Sequence, residues 1–111
     1  MKEIMEIRDR KTFEEVFSAK KALVFKNSTR CSISRSARMQ FEQFALSCED
    51  DIKLYMVEVI ENGKLSREIE EKTHIRHESP QAILLEGGNP MWSAAHYGIT
   101  CEAIEKAILS K

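Results

Sequence analysis

What these 111 residues lack narrows the field first. No long run of like charge occurs: 17 Lys and Arg stand against 18 Asp and Glu, a net charge of -1. The basic footprint of a nucleic-acid binder is therefore missing. No apolar stretch approaches the ~20 residues that span a bilayer. The opening MKEIMEIRDRK alternates charges with aliphatics where a signal peptide would carry a continuous apolar segment. The chain is thus expected to be cytoplasmic, with neither nucleic acid nor membrane as a partner. Its three cysteines, Cys31, Cys48 and Cys101, are odd in number and widely spaced, which argues against a disulfide scaffold. There is no Cys-x-x-Cys and no His-x-x-x-His pair, so no metal site is expected. No glycine-rich motif opens a helix to cradle phosphate. Without repeats, low-complexity tracts or linkers, residues 1–111 are read as a single domain.

What is present is an ordinary globular balance, 42% hydrophobic and 32% charged, sufficient for a real core. Residues 3–7, EIMEI, suggest a short strand, followed by a helix capped by Asp9 or Thr12 and running to about Ser18, with Phe13, Val16 and Phe17 on one stripe. Lys21 to Lys26 carries ALVF at its centre, a continuous apolar run that implies a strand buried on both faces. After Cys31, the residues Ile33, Ala37, Phe41, Phe44 and Cys48 recur at helical spacing, until Asp50-Asp51 breaks the pattern. IKLYMVEVI at 52–60 reads as a strand, Glu61-Asn62-Gly63 as a turn, and Ser66 to Lys72 as a polar helix with Ile69 inward. AILLE at 82–86, the turn Gly87-Gly88-Asn89 and the segment Met91 to His96 form a hairpin. Thr100 caps a last helix whose inner stripe is Cys101, Ile104, Ala107 and Ile108. The order β-α-β-α-β-α-β-β-α implies an α/β protein with a central mixed sheet flanked by helices on both faces. This is the layout of the thioredoxin fold.

The chemistry concentrates at Cys31. It lies between a buried strand and a helix, where unpaired backbone N–H groups and the positive end of the helix dipole favour thiolate over thiol. Its neighbours Ser28, Thr29, Arg30, Ser32, Ser34 and Arg35 are polar or cationic and unlike core companions. Cys31 is accordingly the candidate nucleophile. Ser34 occupies the place of a resolving cysteine, and since serine cannot attack a mixed disulfide, a dithiol cycle is excluded. A Cys-x₅-Arg phosphatase loop is also absent. A monothiol exchange cycle remains, completed by a small thiol or a separate protein. Cys48 and Cys101 fall on apolar stripes and read as core. Trp92, His96 and Tyr97 are candidates for a groove beside the cysteine loop, with Trp92 equally suited to anchor the hairpin. In a thioredoxin layout, Ser79-Pro80 would be a cis pair facing the cysteine, with Ser79 offering main-chain hydrogen bonds to substrate.

The segments STRCSIS at 28–34 and HESPQAILLEGGNPMWSAAHYGIT at 77–100, with the element order between them, resemble the monothiol bacilliredoxins, the YtxJ-like branch of the thioredoxin superfamily. The resemblance implies that Cys31 removes bacillithiol from S-bacillithiolated cytosolic proteins through a mixed disulfide. The partners implied are S-thiolated proteins and a low-molecular-weight thiol as co-substrate, with no bound cofactor. The substrate-binding set expected is Arg30, Ser32 and Ser34 from the loop, with Ser79 and Pro80 opposite. Arg30, Arg35 or Lys26 would meet the malate carboxylates of bacillithiol. One position departs from the usual family loop: Ser32 stands where proline directly follows the cysteine, restoring a backbone donor. A non-catalytic thioredoxin-fold adaptor and a redox sensor in the stress response are the alternatives.

Overall fold

The apolar run at Lys21–Asn27 becomes the middle strand of a five-stranded sheet in the computed structural model, which describes residues 2–110. The strands are β1 (Ile4–Glu6), β2 (Lys21–Asn27), β3 (Lys53–Glu58), β4 (Gln81–Glu86) and β5 (Asn89–Ala95). The helices are α1 (Arg10–Ser18), α2 (Ser32–Ser47), α3 (Gly63–Thr73) and α4 (Cys101–Leu109), with a 3₁₀ turn at His96–Gly98. The sheet order is β1-β3-β2-β4-β5. β1, β3 and β2 run parallel, whereas β4 is antiparallel to β2 and β5 to β4. The mixed α/β thioredoxin layout expected from the element order is the one observed.

Strand alternation sorts the interior into two cores. Leu23 and Phe25 of β2 face α2 and α4, packing with Phe41, Phe44 and Ile104; the Phe25 and Phe41 rings stack with centroids 5.1 Å apart. Ala22 and Val24 face α1 and α3 and meet Phe13, Val16 and Ile69. Both faces of β2 are thus buried, as its unbroken apolar run requires.

Several boundaries differ from the sequence reading for identifiable reasons. Asp9 rather than Thr12 caps α1, its Oδ1 accepting the Thr12 N–H at 2.8 Å. β3 stops at Glu58 because its partner β2 ends at Asn27, directly opposite, leaving no ladder to extend. The turn expected at Glu61-Asn62-Gly63 merges into α3, which begins at Gly63 with Asn62 as its N-cap residue. β5 begins at Asn89 because the hairpin turn is two residues long, and it ends before His96, whose φ of 56° turns the chain away. Among the described residues, no helix is long and apolar enough to cross a membrane.

Gly87 and Gly88 both have positive φ, 57° and 83°, as a two-residue hairpin turn demands. A Cβ on Gly87 would meet nothing within 4 Å, but one on Gly88 would lie 2.7 Å from the Phe17 carbonyl oxygen. Replacing Gly87 by Asn is therefore expected to cost under about 1 kcal/mol, and Gly88→Ala roughly 2 kcal/mol or more. Urea unfolding of the two variants side by side checks the difference.

Candidate active site

Two short tethers hold the loop between β2 and α2. Asn27, buried at the end of β2, donates from Nδ2 to both carboxylate oxygens of Glu58 at 3.0 and 3.2 Å, while its carbonyl accepts the Val59 N–H at 2.9 Å. The Ser28 N–H donates to the hydroxyl oxygen of Ser34 at 3.2 Å, across the loop. Between them, Ser28 to Cys31 forms a turn closed by the Cys31 N–H on the Ser28 carbonyl at 3.4 Å. Cys31 then becomes the N-cap residue of α2, with extended backbone angles, and its carbonyl accepts the Arg35 N–H at 3.2 Å.

The thiol is partly exposed and closes no full capping bond, yet it is aimed at the helix N-terminus. The N–H of Ser34, then that of Ile33, and the Ser34 hydroxyl hold its pKa below the ordinary thiol value, against a smaller opposing effect of burial. Cys101 makes the instructive contrast. It too sits at a helix start, but as the first helical residue, after Thr100 has already taken the Ala103 N–H at 3.0 Å. Burial, followed by the Glu105 carboxylate, pushes the Cys101 thiol up. No backbone N–H of α4 is among the groups that lower the Cys101 pKa, so burial and Glu105 decide its direction.

A cleft of about 170 Å³ opens beside the thiol, lined by Asn27, Ser28, Thr29, Cys31, Arg35 and Arg38. Arg35 and Arg38, one helical turn apart, give this cleft its charge. Arg30 and Ser32 are exposed and do not line it. Ser34 is fully buried, with its N–H and hydroxyl facing the thiol. Ser79-Pro80 is a cis peptide, and the Lys26–Gln81 register places Pro80 next to Asn27, where the cysteine loop begins. Pro80 is buried and its carbonyl accepts the His96 N–H at 3.1 Å. The Ser79 hydroxyl is sheltered, with no hydrogen-bond partner among the described residues. Lys26, offered by sequence as a contact for carboxylates, has no exposed surface and bonds His77 instead. Trp92 packs against the α2 core, and Tyr97 is 75% exposed; neither lines the cleft.

Among the described residues, neither Cys48 nor Cys101 is within reach of Cys31. Cys48 caps the far end of the 16-residue helix α2, roughly 25 Å away at 1.5 Å rise per residue. The Cys101 N–H donates to Gln40 Oε1 at 2.9 Å, well along α2. Bridged cysteines need Cα atoms within about 7 Å. Among the described residues, no group of three or more His, Cys, Asp or Glu side chains is placed to hold a metal.

The sequence alone did not single out Arg38 or the Asn27–Glu58 and Lys26–His77 pairs. Lys26 did carry a signal: strict alternation puts it on the inward register of Ala22 and Val24.

Comparison with known proteins bears on this arrangement. Residues 2–104 match the family model described as Monothiol bacilliredoxin BrxC. A solved structure described as a candidate oxidoreductase with a thioredoxin fold is 32% identical, with a TM-score of 0.85, covering 95% of this chain and 93% of that one. Thioredoxin from Trypanosoma brucei brucei superposes with a TM-score of 0.80 at 10% identity, covering 97% and 89% of the two chains. Thioredoxin from Malassezia sympodialis does so at 0.74 and 16%, covering 99% and 91%. These last two show the fold alone.

Because Ser34→Ala keeps the backbone N–H that faces the sulfur and removes only the hydroxyl, it is expected to raise the Cys31 thiol pKa slightly and slow its iodoacetamide alkylation at pH 7 by about twofold at most. The change also strands the Ser28 N–H, at a cost of about 1–3 kcal/mol in urea unfolding. In the unaltered protein, Cys31 should reach half-maximal alkylation at lower pH than Cys101, as peptide mapping of the labelled protein would show.

Proposed function

The chain belongs to the monothiol bacilliredoxin family, and from that premise we propose that it removes bacillithiol from S-bacillithiolated cytosolic proteins by exchange at Cys31. The observation that carries this reading is a partly exposed, activated sulfur at the α2 N-cap, with buried Ser34 where a second sulfur would stand.

The chemistry runs in two exchanges. The Cys31 thiolate attacks the bacillithiol sulfur of a protein mixed disulfide. A Cys31–bacillithiol disulfide forms, the original S–S bond breaks, and the target cysteine leaves as a thiolate that takes a proton from solvent. A second low-molecular-weight thiolate then attacks the bacillithiol sulfur on Cys31, releasing a small disulfide and restoring the Cys31 thiolate. The lowered thiol pKa serves both halves, since it raises the thiolate fraction at neutral pH and makes Cys31 a better leaving group. Arg35 and Arg38, facing the cleft beside the sulfur, suit the malate carboxylates of bacillithiol through charge-assisted hydrogen bonds. Ser32, in place of the family's usual proline, leaves one more N–H at the first turn of α2 for the same developing negative charge.

The test is release of bacillithiol from a modified protein by the three single Cys→Ser variants. Cys31→Ser should abolish release, while Cys48→Ser and Cys101→Ser should retain it within about twofold, as expected for substitutions away from the reacting atoms. Full activity of Cys31→Ser would overturn the reading; partners retained equally by Cys31→Ser would instead mark an adaptor.

A further inference from the structure

Lys26 lies on the α1/α3 face of β2 with no exposed surface, although its strand neighbours on that face are Ala22 and Val24. Its Nζ is 3.0 Å from Nδ1 of His77. The His77 backbone N–H in turn donates to Glu70 Oε2 at 2.9 Å. β2, α3 and the segment entering β4 therefore meet at one buried ammonium. Gln81, directly opposite Lys26, closes the same segment: its Nε2 donates to the Arg76 carbonyl at 2.9 Å and its Oε1 accepts the Glu78 N–H at 3.4 Å. Two residues beyond His77 comes Ser79-Pro80, beside the start of the cysteine loop.

A buried ammonium is a poor way to hold a fold together, because methionine fills a similar volume without the desolvation penalty. Burial brings the Lys26 pKa down to about 8, against the pull of the Glu70 carboxylate. Burial, and next the Lys26 charge, lower that of His77, opposed by Glu70 and Glu78 and assisted by Arg67. At neutral pH this leaves Lys26 as donor and His77 as a neutral imidazole accepting at Nδ1, with its proton on Nε2.

We propose that Lys26 is a positioning residue: its bond to His77 sets the tautomer and seating of that ring, and with it the Glu78–Pro80 wall against which a protein disulfide docks beside Cys31. The inference rests on the exchange reading above. Loss of the bond leaves the thiol itself unchanged and impairs only the reaction that uses the wall.

The experiment compares exchange with an S-bacillithiolated protein and iodoacetamide alkylation of Cys31, from pH 6 to 9.5, in the unaltered protein and in Lys26→Met. Exchange by Lys26→Met at pH 7 should fall roughly tenfold, mostly through KM, as for a misplaced binding wall. Alkylation should stay within about twofold, since a small reagent needs only the thiolate. ¹⁵N NMR should find the His77 proton on Nε2. Since the folded-state pKa of Lys26 lies below its unfolded value of 10.5, its burial destabilises fully below about pH 8 and is relieved as pH rises toward 10.5. Lys26→Met should therefore be the more stable protein at pH 7, by a margin that shrinks above pH 8. Unimpaired exchange by Lys26→Met, a parallel fall in alkylation, or a proton on Nδ1 would each overturn the proposal. An unaltered protein without exchange activity would overturn the exchange reading itself, whereas an active one with an equally active Lys26→Met would overturn this inference alone.

Discussion

The hydrogen bond from the Ser28 N–H to the Ser34 hydroxyl fixes where the sulfur can be. β2 is pinned at Asn27 by the Glu58 carboxylate, and α2 must begin within a few residues for Phe41 to stack on Phe25. A turn of this length leaves Cys31 at the cap and no further into the helix. At the cap, the N–H groups of Ile33 and Ser34 have no intrahelical carbonyl to serve, so they point toward the sulfur. At Cys101, the first residue of α4, burial and the Glu105 carboxylate raise the thiol pKa instead. Reactivity here is a matter of register between strand, turn and helix more than of the residue types around the thiol.

Stability and function pull in different directions across the middle strand. On its α2 face β2 ends in a tethered Asn27; on the other it ends in a buried lysine. Holding an ammonium at a pKa of about 8 rather than 10.5 corresponds to roughly 3 kcal/mol against the charged form. That is a large fraction of the 5–15 kcal/mol that keeps a typical domain folded. Among the described residues Lys26 is the one charged side chain that is fully buried, and it lies under the segment that leads to cis-Pro80.

Much of this was legible in the chain itself. The apolar run of β2, the stripe Ala37, Phe41 and Phe44, and the Gly-Gly turn carried the fold, because periodicity reports burial directly. Cys31 was legible from its polar company and from the helix pattern that starts after it. The cleft was not, because whether a guanidinium reaches a neighbouring cavity depends on rotation along the helix. Arg38, three residues past Arg35, faces the cleft, while Arg30, adjacent to the sulfur in sequence, does not line it. The Lys26–His77 pair spans 51 residues, and nothing local in either segment announces the other. The α3 start was misplaced because Asn-Gly reads as a turn, whereas here Asn62 takes the N-cap position, without a side-chain capping bond, and Gly63 enters the helix.

Exchange of the proposed kind requires Cys31 to receive the small thiol before any other group does. The most direct measurement mixes the protein with an S-bacillithiolated target, quenches with acid within seconds and locates the transferred adduct by intact-mass and peptide mass spectrometry. The adduct is predicted on Cys31 alone, appearing as the target loses it and disappearing when free bacillithiol is added. An adduct on Cys48 or Cys101, or loss from the target with no adduct on Cys31 at any time, would contradict it.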